Sequence, residues 1–78
     1  MSLVELVELM IKRLVDFPED VEVSEAEGEA SRIIEVRVHP DDVGKVIGRK
    51  GRTADALRVL VSAVSGRENK RTVFQILD

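Results

Sequence analysis

Two glycines that enclose two cations stand out in this 78-residue sequence: Gly48 and Gly51, with Arg49 and Lys50 between them. Because glycine lacks a β-carbon, it adopts positive φ angles and lets a ligand approach the main chain closely. A helix is expected to begin directly after this loop, and the free amides and the dipole at its start favour an anion. The spacing therefore indicates a loop that can hold a sugar-phosphate backbone without reading bases. The alternative at this point is a plain turn between two helices.

The cations of the chain are concentrated around this loop. Residues 1–44 hold four Lys/Arg and twelve Asp/Glu, whereas residues 45–78 hold eight Lys/Arg and three Asp/Glu, so a +5 half lies behind the net charge of −3. The densest stretch runs from Lys45 to Arg52, with four cations and no acid in eight residues. Such asymmetry favours a polyanionic partner. Charge alone leaves open a solvated surface with scattered charge.

Helices on either side must position the loop. In the segment 39–42, a proline followed by two aspartates predicts the start of a short helix, and Gly48 ends it. Residues 52–65 predict a second helix, which Gly66 is suited to cap. The core face of this second helix is predicted to contain Ala54, Leu57, Leu60, Val61 and Val64.

The rest of the chain predicts one more helix and three strands. Ser2 and Glu5 form a capping box at the start of an amphipathic helix over residues 2–15, which Pro18 ends. Apolar residues at strand spacing predict strands over residues 21–25, 32–38 and 71–77. The first two form a hairpin through a turn at Gly28. The predicted core face of the second strand is Ile34, Val36 and Val38.

Catalytic and cofactor motifs fit the sequence poorly. No glycine pair has the spacing of a P-loop, and a dinucleotide-binding loop would follow a strand directly. His39 is the only histidine and the chain has no cysteine, so a zinc site of the usual kind cannot form. Asp41 and Asp42 are sufficiently explained as first-turn acids. We therefore expect no enzyme activity, no metal and no cofactor.

The length of the chain predicts a single domain over residues 1–78. A chain this short buries only about two-thirds of its unfolded surface, so a thin core is expected. Phe17 and Phe74, the only Phe, Tyr or Trp residues, are predicted to lie in that core. They are too few for a surface built on stacked aromatics.

A second apolar strip on the 52–65 helix, formed by Ala56, Val59 and Ala63, lies opposite its core face. A helix that is apolar on two sides is usually buried on two sides, so the strip predicts a homodimer. Scattered apolar groups on a monomer surface are the alternative. No uncharged apolar run approaches the about 20 residues of a membrane span. The first residues carry acids where a secretory signal needs cations, so we expect a cytoplasmic protein.

Set in this order of elements, Val46-Ile47-Gly48-Arg49-Lys50-Gly51 resembles the signature of KH domains, whose GxxG loop clamps about four backbone nucleotides. The extra helix and strand before that core are similar to the type II arrangement. The stretches LVDxP at 14–18, HPDDVGKVIG at 39–48 and TAxALR at 53–58, where x is any residue, resemble the small bacterial single-KH-domain RNA-binding proteins of the KhpA (YlqC-like) family. This implies an α+β fold of order α-β-β-α-α-β, with three helices on one face of a three-stranded sheet.

The resemblance also implies single-stranded RNA as partner, held in a groove between the two loop-flanking helices and the sheet edge. The backbone clamp would be Gly48, Arg49, Lys50 and Gly51, with Ile47 on the groove floor and Lys45 and Arg52 as flanking phosphate contacts. Family members act as RNA chaperones, pair with themselves and with a second, KhpB-like protein, and are linked to RNA-mediated regulation, cell division and cell shape through cell-wall growth. The alternative is a protein-interaction module in which nucleic-acid binding is incidental. Single-stranded DNA is an alternative ligand.

Overall fold

The computed structural model describes residues 1–67 and 71–77, and its elements follow the predicted order. Within those residues the α-helices are α1 (Leu3–Leu14), α2 (Val43–Ile47) and α3 (Arg52–Gly66), and the strands are β1 (Glu22–Glu27), β2 (Ser31–Arg37) and β3 (Arg71–Leu77). Three 3-10 turns link them, at Pro18–Asp20, Pro40–Asp42 and Arg49–Gly51. The α+β class and the order α-β-β-α-α-β are confirmed.

The start of α1 has the predicted capping box. The Glu5 amide donates to the Ser2 hydroxyl at 3.1 Å, and the Ser2 amide donates to the Glu5 carboxylate at 3.0 Å. Leu3, Val7 and Ile11 lie on the buried face of the helix. The helix ends at Leu14, one residue before its predicted end at residue 15, because Val15 already has extended backbone angles.

The strands form one mixed sheet in the order β1-β2-β3. β1 pairs with β2 antiparallel, with Val23 opposite Val36, which is the predicted hairpin. β2 pairs with β3 in parallel, with Ile34 opposite Phe74. A parallel pair needs a crossover connection, and here α2, the loop 48–51 and α3 provide it. The topology thus places the predicted ligand loop in the middle of the crossover, at the turn between its two helices.

The core lies between one face of the sheet and the helices. Ile34, Val36 and Val38 are buried as predicted, and Phe74 of the neighbouring strand is buried with them. The helices contribute Val7, Ile11, Val46, Leu57 and Val61 to the same cluster. Alternate residues of β2 point to the other face of the sheet. The predicted arrangement of three helices over one face of the sheet is therefore confirmed.

Leu60 and Phe17 were predicted in the core, and both predictions are wrong. The face of α3 that meets the sheet is narrower than expected, with Ala54, Leu57, Val61 and Ser65 buried. Leu60 therefore lies on the flank of the helix and is 52% exposed. Phe17 is 37% exposed, because its ring stacks on the imidazole of His39 at 4.2 Å between ring centres rather than entering the core.

The helix and strand ends differ slightly from prediction. β1 continues to Glu27, two residues beyond the expected end, because it pairs with β2 as far as Arg32. Gly66 is the last residue of α3 rather than its cap, and Arg67 takes the cap position with ordinary helical angles. His39 caps the 3-10 turn as expected, since its Nδ1 accepts a hydrogen bond from the Asp41 amide at 3.0 Å.

Candidate nucleic-acid interface

The loop between α2 and α3 has a backbone that only its glycines can easily adopt. Gly48 has φ 78° and ψ 172°, and Gly51 has φ 74° and ψ 12°. A β-carbon on Gly48 would overlap the Thr53 hydroxyl, whereas one on Gly51 would meet nothing within 4 Å. Glycine is therefore required at position 48 both by the positive φ angle and by the lack of space for a β-carbon. At position 51 it is required by the φ angle alone. The open space at Gly51 leaves the main chain accessible to a ligand.

The loop leads directly into an uncapped helix start. Gly51 occupies the N-cap position of α3, where no side chain accepts a hydrogen bond from the first turn. The 3-10 turn inside the loop is closed by the Gly51 amide, which donates to the Gly48 carbonyl at 3.1 Å. Since no side-chain oxygen covers the first amides of this 15-residue helix, they can meet an anion.

Three of the predicted phosphate contacts are exposed cations beside this main chain. Arg49, Lys50 and Arg52 all lie on the surface. Among residues 1–67 and 71–77, no carboxylate forms an ion pair with any of them. Lys50 itself has a positive φ of 57°, a conformation uncommon outside glycine. The loop therefore combines an exposed backbone, positive charge without internal neutralisation and a helix N-terminus.

Lys45, the fourth predicted contact, has a different environment. Its ammonium lies 3.2 Å from the Asp16 carboxylate and 3.4 Å from the Asp42 carboxylate. Hydrogen bonding to Asp16, with a smaller contribution from Asp42, raises the pKa of Lys45 above its usual value. The side chain remains 43% exposed. The structure thus separates Lys45 from the unpaired cations of the loop, a distinction that the sequence did not reveal.

Asp42 is a buried carboxylate that the sequence interpretation missed. It has no exposed surface, and its two oxygens accept hydrogen bonds from the backbone amides of Asp16, at 3.1 Å, and Phe17, at 3.0 Å. Burial by itself raises the pKa of Asp42, but these two amides and the Lys45 ammonium outweigh it, so the pKa lies below its usual value. In the sequence, Asp42 is interpreted only as one of two first-turn acids, together with Asp41.

Ile47 lies at the end of α2, next to the loop. Its side chain is 39% exposed, whereas the preceding Val46 is fully buried in the core. The pair therefore fixes α2 to the core on one side and leaves an apolar group beside the loop on the other. This position is compatible with the predicted groove floor, and the role of Ile47 in binding stays a prediction.

A cavity with both polar and apolar lining lies between α3 and the edge strand β3, on one flank of α3. Its volume is about 230 Å³. Its lining contains two arginines that the sequence interpretation did not single out, Arg58 and Arg71. Arg58 also pairs with Asp55 at 3.2 Å on the surface of α3. The complete lining is Arg58, Ser62, Arg71, Thr72, Val73 and Phe74.

An apolar groove lies on the opposite flank, between α1 and α3. Its volume is about 480 Å³, and it is lined by Leu9, Met10, Arg13, Leu14, Thr53, Ala56, Leu57 and Leu60. The predicted dimer strip adjoins it: Ala56 belongs to both, Val59 is 68% exposed and Ala63 is exposed. The strip and the groove form one apolar surface. The strip's role as a dimer interface stays a prediction.

Neither a metal site nor a membrane span is found in the described part of the chain. No three His, Cys, Asp or Glu side chains of residues 1–67 and 71–77 gather where they could hold a metal ion. No helix among those residues is long and apolar enough to cross a bilayer.

Comparisons with known proteins agree with the fold. The family model for the KhpA/KhpB KH domain matches residues 4–76. A Clostridium perfringens protein named RNA-binding protein KhpA is 53% identical over 73 residues, which cover 94% of this chain and 97% of that protein. Proteins of the same name from Streptomyces coelicolor and Aquifex aeolicus are 56% identical over 63 residues and 47% identical over 77 residues.

The alignments cover most of this chain and most of each relative. The Streptomyces coelicolor match covers 81% of this chain and 80% of the relative, and the Aquifex aeolicus match covers 99% and 98%. The relatives are named as RNA-binding proteins and not as enzymes. No solved structure matches the chain significantly. With a family model that matches nearly the whole chain and relatives about half identical to it, this chain belongs to the KhpA/KhpB family of KH domains.

Proposed function

We propose that this protein binds single-stranded RNA and grips the phosphate backbone with the loop 48–51. The observation that carries the proposal is the main chain at Gly51, which borders open space and lies beside Arg49, Lys50 and Arg52, none of which has an ion-pair partner among residues 1–67 and 71–77. The proposed contacts are Gly48, Arg49, Lys50 and Gly51 for the clamp, with Ile47 and Arg52 beside it. The names of the relatives support RNA as the ligand.

The surface between the loop and β3 suggests a path for the bound RNA strand. From the loop, the strand would follow α3 towards the edge strand β3, where the cavity of about 230 Å³ can receive a base. Arg58 and Arg71 would lie beside the strand at that point. Backbone contacts supply affinity without sequence information. We therefore expect low sequence preference from a single domain, and useful affinity through pairing with another binding domain.

The loop's charges give the first test. Two to four phosphate contacts predict that the logarithm of the binding constant falls with the logarithm of salt concentration with a slope of about −1.5 to −3. The double substitution Arg49→Asp and Lys50→Asp should abolish retention of a fluorescently labelled mixed-sequence RNA, with the circular dichroism spectrum unchanged. Arg37→Asp with Arg67→Asp makes the same charge change at exposed positions outside the loop and should lower affinity only slightly.

The same measurement separates the alternatives. Equal affinity of the loop variant and its control for RNA would contradict the proposal. A single-stranded DNA of the same sequence, measured in parallel, distinguishes an RNA-specific site from a general single-strand site.

The apolar surface formed by the strip and the groove supports a second proposal, that the protein pairs with a second copy of itself or with a KhpB-like partner. Val59→Glu should give a monomer in sedimentation, because a charge would be buried in the interface. Ser62→Glu adds the same charge on the other flank and should leave the mass unchanged. A dimer in both variants would exclude this surface. If only pairing survives testing, the protein is an interaction module and RNA is incidental.

The family resemblance extends the proposal to RNA-mediated regulation linked to cell division and cell-wall growth. Crosslinking the protein to cellular RNA, followed by sequencing of the fragments, tests this directly. Transcripts recovered equally with the Arg49→Asp, Lys50→Asp variant would argue against loop-dependent binding in the cell.

A further inference from the structure

A hydrogen-bonded ion pair centred on a buried carboxylate joins the segment after α1 to the start of α2. We define the clasp as the side chains of Asp16, Asp42 and Lys45 together with the backbone amides of Asp16 and Phe17. Among residues 1–67 and 71–77, Asp42 is the only carboxylate that is buried. Both of its oxygens are used by the clasp, through bonds of 3.1 Å and 3.0 Å to the two amides. The contact therefore has the features of a fixed structural connection rather than a chance surface pair.

The clasp acts on a helix that cannot hold itself in place. α2 has only five residues, and isolated helices shorter than about 12 residues are marginal in water. Val46 anchors one side of α2 in the core, which does not fix rotation of so short a helix. Asp42 supplies a second anchor, at the N-cap position, 26 residues along the chain from its partner Asp16.

The orientation of α2 affects the loop directly, because the two are joined by a hydrogen bond. The Gly48 amide donates to the carbonyl of Gly44, inside α2, at 2.8 Å. The first loop residue is thus hydrogen-bonded to the helix that the clasp orients. Movement of α2 would move Gly48 against Thr53, where the space for even a β-carbon is lacking. Two anchors on α2 and one bond to Gly48 make the loop geometry depend on Asp42.

We infer that Asp42 is a positioning residue of the RNA-binding loop, and that Lys45 completes the clasp instead of contacting phosphate. This inference rests on the proposed function for its effect on RNA, but not for its effect on the loop. Lys45 shares its ammonium between two carboxylates, so the cluster of three side chains carries a net charge of −1 when all are ionised. A site of that charge offers a phosphate no net attraction, in contrast to Arg49, Lys50 and Arg52.

Asp42→Asn is the direct test, and Asp41→Asn is its matched control. The amide keeps the shape of the side chain but presents an NH₂ group where the second backbone amide needs an acceptor. The control removes the same charge one residue away, from an exposed carboxylate. Loosening the loop should weaken binding of a mixed-sequence single-stranded RNA by about threefold to tenfold, the cost of ordering a few residues on binding. The salt slope should not change, and Asp41→Asn should bind like the wild type.

Amide hydrogen exchange gives a readout that does not depend on RNA. Asp42→Asn should speed exchange of the amides of Phe17, Gly48 and Gly51 by about tenfold, whereas amides of β2 keep their wild-type rates. A merely global loss of stability would speed both sets. Wild-type affinity and wild-type loop exchange in a folded Asp42→Asn protein would overturn the inference.

Lys45→Gln decides the matter if Asp42→Asn does not fold. The side chain is partly exposed, so its loss should be tolerated. We expect about a twofold loss of affinity and no change in salt slope, whereas neutralising a true phosphate contact reduces the slope by about 0.7. A reduced slope would overturn the assignment of Lys45. If the wild type binds no RNA, the proposed function fails, and the exchange rates still decide whether Asp42 positions the loop.

Discussion

The two flanks of α3 carry opposite chemistry. Towards β3 the flank is polar and cationic, with Arg58 and Ser62 facing Arg71. Towards α1 it is apolar, with Leu60 facing Leu9 and Leu14 across the groove. Only a narrow face between the flanks enters the core. Under the two proposals made above, the RNA path and the docking surface lie on separate flanks of a single helix, and the linings of the two depressions share no residue.

The loop is where the two flanks meet. Thr53 lines the apolar groove, and its hydroxyl occupies the space beside Gly48. Gly51, three residues later, borders open space instead. The two glycines of the motif thus have unequal tasks: Gly48 fits the loop against Thr53, and Gly51 leaves its main chain exposed to open space.

Replacing these glycines should give the largest effects. Gly48→Ala combines a positive φ with overlap at Thr53, and we expect it to lower the free energy of unfolding by about 3–5 kcal/mol. Gly51→Ala has the angle cost alone, about 1–2 kcal/mol. Urea denaturation measures both. Equal losses for the two variants would contradict the unequal tasks of the glycines.

The overlap at Gly48 can be isolated with a double variant. Adding Thr53→Ala to Gly48→Ala removes the hydroxyl and should recover part of the lost stability, whereas adding it to Gly51→Ala should recover none. The recovered part measures overlap with the side chain beyond the β-carbon, and the remainder contains the backbone strain together with overlap at the β-carbon and amide nitrogen of residue 53. Recovery in neither background would show that the Thr53 hydroxyl does not restrict Gly48.

A glutamate introduced on either flank of α3 should give an effect of intermediate size. Leu60→Glu, on the α1 side, should weaken self-association at least about tenfold in sedimentation, because a carboxylate would be buried at the interface. Ser62→Glu, on the β3 side, should lower RNA affinity about fivefold through repulsion of phosphate. Each variant should leave the other property unchanged. Loss of both properties in one variant would show that the flanks are not independent.

The sequence predicted this division only in part. The loop was visible because its two glycines and the adjacent cations are local properties of the sequence. The sheet and core were visible in the spacing of Ile34, Val36 and Val38. The apolar flank was misread because helical periodicity assigns residues to a face but not to its exact width. Leu60 was therefore placed in the core, although the observed face turns towards Ala54 and Ser65.

The clasp could not be predicted because it consists of tertiary contacts between residues that are distant in the sequence. Asp42 and the amides of Asp16 and Phe17 lie 26 and 25 residues apart in the chain. In sequence, Asp42 is one of two adjacent aspartates at a helix start, and only the fold shows that one is buried while Asp41 is exposed. The same limit applies to Arg58 and Arg71, which the packing of α3 on β3 brings together.

Neutralising the arginines of the β3 flank should have a smaller effect. Arg58→Gln and Arg71→Gln are each expected to weaken RNA binding by about threefold and to reduce the salt slope by up to about 0.7. Arg13→Gln removes a cation from the rim of the apolar groove, and it should leave the slope unchanged. A slope that responds equally to all three substitutions would indicate that the domain's overall charge, and not a path along β3, determines affinity.

The smallest expected effect is a loss of stability in acid, caused by protonation of Asp42 in the clasp. The folded-state pKa of Asp42 lies below its usual value near 3.8, so its carboxylate contributes stability above the unfolded pKa that is lost as the pH falls through the folded pKa. Between pH 6 and about pH 3, the urea midpoint of the wild type should therefore fall more steeply than that of Asp42→Asn, which has no carboxylate to protonate at this position. Asp41→Asn should follow the wild type, because its carboxylate is exposed and makes no comparable hydrogen bonds. Parallel pH profiles for Asp42→Asn and the wild type would mean that the buried carboxylate is not held ionised by its amides and Lys45, and that α2 is anchored by Val46 alone.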